Sequence, residues 1–415
     1  MFTLSRRDVF KTGLGVSAMA LTGRAVRADE PLRIGFLTVK TGPLAAGGIQ
    51  MEQGMLTWLK LNNNKIGGRT VDLMVADTNG VPATTRTKTT ELVERQGANL
   101  LIGPLAAFEA LAVADYTESH HMPTMGLAAF DEGTQKGAQK YFARPTASAG
   151  QASHAMAAYC YSVLNMRRMA VIADDFAYGH QQTSAFLRVF EDMGGKVVQK
   201  ILPPLNAPDY GTYISQIKTN LDGIFMGFAG SNGFRFTKAF FEYGLGGKIP
   251  LTGGLTAMDE AILQQTGEDA VGIMTANYYS AAYDNAANKA FVAQMNKDYK
   301  ADPGYYASGP AICGAVLDAA ITKLNGKVDD PDLLISTIRS NVVENTIRGP
   351  VKFDAYGQAI GNIYIRKVER KAGKNINTVI KTYENVSQFW TYDPVEFMKN
   401  PTYSRDWPVA KNLEN

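Results

Sequence analysis

The chain has 415 residues, 45% of them apolar and 20% charged. This is enough for two or three ordinary domains and excludes a disordered or fibrous protein. The formal net charge is +3, but the first 28 residues hold Arg6, Arg7, Lys11, Arg24 and Arg27 against Asp8 alone, and without them the sum falls to −1. The basic excess belongs to the N-terminus, so a nucleic-acid partner loses its compositional support.

Ser5-Arg6-Arg7-Asp8-Val9-Phe10-Lys11 opens the chain with paired arginines, and small and apolar residues follow from Thr12 to Gly23. The pattern predicts a twin-arginine export signal over 1–28, too short to span a bilayer, with the cut after Ala28. Gly13-Leu14-Gly15-Val16-Ser17-Ala18 matches the dinucleotide fingerprint G-x-G-x-x-A, but no strand precedes it and that reading is rejected. No cysteine near the cut could accept a lipid. Cys160 and Cys313 both lie in apolar helical patterns and are expected to be buried free thiols rather than a disulfide. The rest of the chain is expected to be a soluble protein of the bacterial periplasm.

Leu32–Leu37 reads as a strand, followed by a Gly-rich loop from Thr41 to Gly48 and a helix from Ile49 to Asn63. Strand Val71–Val75, a helix opened by Pro82, strand Leu100–Ile102, helix Ala106–Ser119 and strand Pro123–Gly126 follow. A second run begins near Gly150, with helix Gln151–Leu164, strand Met169–Ala173, helix Gly179–Asp192 and strand Lys196–Leu202. Helix Tyr210–Asn220, strand Gly223–Phe228, helix Asn232–Tyr243 and strand Pro250–Thr252 complete it. Val271–Ala276 reads as a strand, then come helices Asn288–Lys300, Ala307–Leu324 and Asp332–Ser340. The last strands are Val351–Phe353, Asn362–Val368 and Thr378–Thr382, and Phe389–Asn415 reads as an extended strap. Alternating strands and helices imply α/β architecture with parallel sheets, and two such runs imply two doubly wound domains. The ligand of an open parallel sheet lies beyond the carboxyl ends of its strands. The loops to watch are therefore Lys40–Gly48, Gly103–Glu109, Leu127–Asp131, Asp174–His180, Ala229–Asn232 and Gly253–Met258.

Arg33-Ile34-Gly35, Thr41-Gly42-Pro43, Gly67-Gly68-Arg69, Ile102-Gly103-Pro104-Leu105, Tyr178-Gly179 and Gly349-Pro350-Val351-Lys352-Phe353-Asp354 occur in order. Together, from Leu32 to about Thr382, they resemble the type I periplasmic binding proteins of ABC transporters, the Leu/Ile/Val-binding group. The resemblance implies two lobes joined by three crossovers, near Ala143–Ala149, Ala276–Ser280 and Phe353–Gln358. Lobe 1 is then 29–146 with 277–353, lobe 2 is 147–276 with 354–385, and 386–415 is a tail. It also implies a monomer that binds a small-molecule carboxylate and delivers it to an ABC permease in the inner membrane. No enzyme activity, catalytic residue, cofactor or metal is expected.

Amino-acid binders of this family hold the ligand carboxylate with a serine and a threonine and the ammonium with an acid. The corresponding positions are Ala107, Ala129 and Leu255, with Thr256 or Glu109 as neighbours able to substitute. An unpartnered buried ammonium costs several kcal/mol. Aromatic side chains stand around the same loops at Phe108, Phe130, Phe176, Tyr178 and Phe228, and Gly47 and Ala229 leave room. The expected ligand is a small apolar, aromatic carboxylate clamped by these rings. The alternatives are a branched-chain or other amino acid, or a ligand-sensing role in a signalling system. An enzyme on the same two domains lacks a nucleophile or fingerprint in these loops. His120-His121 and Asp174-Asp175 read as solvated, His154 and Tyr305-Tyr306 as structural, Arg144 as a hinge anchor. His180 is open between ligand contact and capping.

Overall fold

A computed structural model of the chain describes residues 30–135 and 139–414. The twin-arginine segment and its expected cut lie outside them. The described residues form two lobes, each built on a twisted sheet.

The first sheet runs β2-β3-β1-β4-β5-β6, from β1 (Leu32–Thr38), β2 (Lys65–Ile66), β3 (Arg69–Asp77), β4 (Leu100–Ile102), β5 (Thr124–Met125) and β6 (Phe142–Ala143). All pairs are parallel except β2 with β3. Leu32, Ile34, Phe36 and Leu37 of β1 are buried, as a strand covered on both faces requires. Helices α1 (Ala45–Leu61), α2 (Pro82–Thr90) and α3 (Ala107–Ser119) make the crossovers. The second sheet forms from α4 (Ala149–Ser162), β7 (Arg168–Ala173), α5 (Ala177–Asp192), β8 (Lys196–Ile201), α6 (Gly211–Ile214), β9 (Gly223–Gly227), α7 (Asn232–Glu242), β10 (Leu251–Gly253), α8 (Glu260–Leu263) and β11 (Met274–Asn277). Its strands run parallel from β8 through β7, β9 and β10 to β11. The chain then returns to the first lobe with α9 (Ala286–Tyr299), α10 (Tyr305–Lys323) and α11 (Pro331–Ser340). A Cβ on Gly54 of α1 would lie 2.0 Å from the Ala307 carbonyl, so glycine there sets how closely α1 and α10 pack.

The ends of the chain depart from the expected short strands. After β12 (Lys352–Phe353), β13 (Ala359–Lys371) and β14 (Lys374–Val386) form one antiparallel hairpin of 13 residues a side, which makes the second sheet mixed. Its turn is Ala372-Gly373, both at positive φ, the conformation a two-residue hairpin turn needs. The charged outer half, Lys367 to Lys374, concealed its extent in the sequence. The helix expected over Tyr210–Asn220 shrinks to Gly211–Ile214. The helix expected from Ile49 begins at Ala45 instead, absorbing part of the Gly-rich loop.

The tail is more than an extended strap. It contains α12 (Pro394–Lys399) and buries Phe389, Phe397 and Tyr403 against α4 and α5. The Arg188 guanidinium of α5 lies 4.2 Å from the Tyr392 ring centroid and 4.7 Å from that of Phe397. Tyr403 Oη and His154 Nε2 are 2.9 Å apart, and the Glu414 N–H donates to the Val198 carbonyl at 3.0 Å.

Cys160 lies on α4 and Cys313 on α10, both buried and free, as expected. Burial pushes the Cys160 thiol up to about 12 and the Cys313 thiol further up, which suppresses the reactive thiolate. Titration with a thiol reagent is expected to find essentially no reactive cysteine in native protein and two after denaturation without reductant. Fewer than two would reveal a disulfide.

Candidate functional site

In the first sheet β1 lies between β3 and β4, so the connections leaving β1 and β4 go to opposite faces. In the second, β7 lies between β8 and β9. Each lobe thus opens a crevice at a switch point, and the two crevices face each other. Between them, where the lobes touch, is a small cavity of about 20 Å³. Leu44 comes from the loop after β1; Leu105, Ala106 and Ala107 follow β4, and Ala129 follows β5. Phe176 and Tyr178 follow β7, Ala229 follows β9, Thr256 follows β10, and Tyr305 and Tyr306 open α10.

Six residues singled out by sequence, Ala107, Ala129, Phe176, Tyr178, Ala229 and Thr256, line this cavity. Phe108 sits one layer out, its ring edge-on to Phe176 with centroids 5.6 Å apart. Phe130, Phe228 and Leu255 do not line it. Phe130 packs edge-on to Phe142 beneath the Arg144 guanidinium. Phe228 points into the core of the second lobe among Tyr210 and Phe236. Leu255 is buried, its N–H donating to Gln182 Oε1 and its carbonyl accepting from Asn277. Each follows or ends a strand, where adjacent side chains point to opposite sides, so proximity in sequence does not place them in the cavity. Glu109 does not substitute as an anchor either. Its carboxylate accepts from Thr78, from Thr85 at 3.1 Å and from the Ala106 N–H at 2.9 Å, all away from the cavity.

Tyr305 and Tyr306, read as packing, are walls of the cavity. The Tyr306 ring lies where a side chain on Gly47 would be, 2.6 Å from an ideal Cβ. The Tyr305 hydroxyl donates to the Leu127 carbonyl at 2.9 Å. Their apolar helical neighbours hid the role, and the signal was their position at the start of a helix. Asp174, expected to be solvated, is fully buried. It accepts from the Ala229 N–H at 2.8 Å and Asn232 Nδ2 at 2.7 Å, fixing the loop after β9. Burial pushes its carboxyl up to about 7. Asp175 pairs instead with Arg405 at 2.9 Å and with His180 at 2.7 Å, so His180 is turned from the cavity. His120 and His121 stack on Tyr116 and Tyr141. Arg144 is buried at the first crossover and donates to Gln358 Oε1 at 2.6 Å, to the Ala128 and Phe130 carbonyls and to Thr134. Burial lowers its pKa to about 10, so it remains a cation at neutral pH.

The polar character of the cavity comes from backbone and hydroxyls. The lining includes no charged side chain. Ala106, the residue before α3, has no side-chain acceptor to cap the helix. The Ala107 N–H has no acceptor among the described residues, so the first turn of α3 presents a donor and a positive helix end. At the other side the Tyr178 and Thr256 hydroxyl oxygens are 2.5 Å apart.

The lobes touch across this space. The Ser231 N–H donates to the Pro43 carbonyl at 3.1 Å and the Gly230 N–H to the Tyr306 hydroxyl at 3.2 Å. The Tyr305 N–H donates to Asp259 Oδ2 at 2.6 Å. Burial, and next the charge of Glu260, push the Asp259 carboxyl upward. Gly230 has φ +56°, and a Cβ there would lie 2.2 Å from the Pro43 carbonyl oxygen. Gly230→Val is therefore expected to obstruct closure. Small-angle scattering should show a larger radius of gyration for the variant, and affinity for any cleft ligand should fall about tenfold or more. Unchanged scattering and affinity would refute this closing contact.

The family described as periplasmic binding protein matches residues 31–374. The chain is 27% identical over 389 residues to the Leu/Ile/Val-binding protein homolog 6 of Brucella abortus, covering 91% of this chain and 97% of that protein. It is similar to a solute-binding protein of an ABC transporter from Rhodopseudomonas palustris BisB5, solved in complex with 3,4-dihydroxybenzoic acid. That likeness has a TM-score of 0.81 at 28% identity and covers 86% of this chain and 98% of that one. A solute-binding protein from Rhodopseudomonas palustris HaA2, in complex with p-hydroxybenzoic acid, matches with a TM-score of 0.80 at 27% identity, over 87% and 99% of the two chains.

Proposed function

The chain belongs to the periplasmic binding protein family, as a solute-binding protein of an ABC transporter, and on that footing we propose that its ligand is a small aromatic carboxylate. The observation that carries this reading is the cavity lining: three tyrosine rings and that of Phe176, two leucines, four alanines and one threonine, with no charged side chain. An amino acid brings an ammonium that needs a carboxylate partner, and Asp174, Glu109 and Asp259 are each engaged with other groups. A carboxylate needs only donors, and the first turn of α3 offers backbone N–H groups at a positive helix end. Burying about 150 Å² of ring surface contributes on the order of 4 kcal/mol. Each charge-assisted bond to the carboxylate adds about 1.5–3 kcal/mol. Similar proteins solved with hydroxybenzoic acids support the same reading, although curated relatives are named for leucine, isoleucine and valine. The periplasmic lobes close by hinging, and the closed form is read by an inner-membrane permease.

Calorimetry with benzoate, cinnamate, leucine and valine tests this. At least one aromatic acid is expected to bind with micromolar or tighter affinity and the amino acids much more weakly. Ala107→Pro gives a sharper check. Proline is well tolerated at the first helical position and deletes a single N–H. The variant is expected to keep its melting temperature and lose about tenfold in affinity for the acid. Tight leucine binding with no response to aromatic acids would overturn the proposal.

Export by the twin-arginine route belongs to the same proposal, carried by Arg6-Arg7 and the short apolar run after them. Replacing both arginines by lysine is expected to leave the protein in the cytoplasm, scored by fractionation. Undiminished export of that variant would rule the route out.

A further inference from the structure

The hydroxyl groups that face the cavity from Tyr178, Thr256 and Tyr306 have a direction. A threonine hydroxyl has one proton and two lone pairs. Thr256 gives its proton to the Phe228 carbonyl, 2.7 Å away, and a carbonyl has none to return. The 2.5 Å contact between Tyr178 and Thr256 must then run from tyrosine to threonine. The Tyr306 oxygen accepts from the Gly230 N–H at 3.2 Å. The proton of Tyr178 is thereby held by Thr256. The Tyr178 oxygen keeps lone pairs in the cavity. The Ala107 N–H, at the start of α3 in the other lobe, is a donor. The Ala107 N–H is thus a donor on one wall, and the Tyr178 oxygen is an acceptor on the other.

Resting on the reading of this site as an aromatic carboxylate pocket, we infer that the ligand carries a hydrogen-bond donor, a hydroxyl or an aryl amine, on the part of the ring remote from the carboxylate. Thr256 is the residue that sets this preference, by holding the proton of Tyr178. The carboxylate is thereby oriented, because at the tyrosine wall it would meet lone pairs and at α3 it meets N–H groups. An unsubstituted ring leaves the Tyr178 lone pairs without a donor, and an ether sets acceptor against acceptor. Sites built to bond a hydroxyl discriminate strongly against analogues without one.

The test is calorimetry on the purified protein with two series: benzoate, 4-hydroxybenzoate and 4-methoxybenzoate, then cinnamate, 4-hydroxycinnamate and 4-methoxycinnamate. In one series at least, the hydroxy acid is expected to bind about tenfold or more tighter than its parent and tighter than the methoxy acid. Thr256→Val removes the acceptor for the Tyr178 proton and turns Tyr178 into a donor. In that variant the hydroxy acid is expected to lose its advantage and the methoxy acid to gain on it. Tyr178→Phe provides the second variant, in which the advantage falls to near one without a methoxy gain. If parent acids bind but the hydroxy acids bind no tighter to the wild type, the donor inference is overturned and the carboxylate reading stands. If no acid in either series binds, both fall.

Discussion

The carboxylate of Asp259 holds two helix N-termini at once, and the shape of the cleft depends on it. One oxygen caps α8 through the Ala261 N–H at 3.1 Å, within the second lobe. The other reaches the Tyr305 N–H at 2.6 Å, at the start of α10 in the first lobe. A helix start offers unpaired donors and a positive field, so a carboxylate between two of them is held from both sides. Each such bond contributes about 0.5–1.5 kcal/mol. The second one exists only when the lobes are together. It positions Tyr305 and Tyr306 as walls, and Tyr306 in turn receives the Gly230 N–H from the opposite loop.

Charge is plentiful around the cavity and absent from its lining. Asp174 fastens the loop after β9, Glu109 fastens the start of α3, and Arg144 ties the loop after β5 to Gln358 at the third crossover. Each is buried and each spends its bonds on backbone, amide or hydroxyl groups. Burying such groups is costly unless they are fully bonded. Their arrangement gives rigid loops around an uncharged interior, where a ring can pack and a carboxylate is held by N–H groups.

The alternation of strands and helices was legible because apolar runs and Gly-Gly turns punctuate it from Leu32 to Thr252. The same periodicity marked which loops would meet. It did not say which side chain of a loop would face inward, so Ala107, Ala129, Tyr178 and Thr256 were found together with Phe130, Phe228 and Leu255, which are core. Tyr305 and Tyr306 escaped because a helix start surrounded by apolar residues looks like packing. Asp174 escaped because adjacent aspartates suggest solvent, whereas its two partners come from residues 55 and 58 positions away. Long-range hydrogen bonds of that kind leave no local trace in a sequence. The hairpin of β13 and β14 was underestimated for the opposite reason, since its outer half is charged and solvated on purely local criteria.

The anchored tail bears on how the molecule is made. The core of the second lobe near α4 and α5 receives Phe389, Phe397 and Tyr403, and Glu414 bonds to β8. The hairpin that completes the second sheet also arrives more than eighty residues after β11, once the first lobe has taken α9, α10 and α11. Contacts so distant in sequence are slow to form because a long loop must close first. The second lobe begins to emerge early in synthesis but lacks its edge until Ala359–Val386 are made and its aromatic cover until Phe389, Phe397 and Tyr403 follow. Its native state therefore waits on residues 359–414, and a chain that stops short of them presents a first lobe beside an open apolar surface.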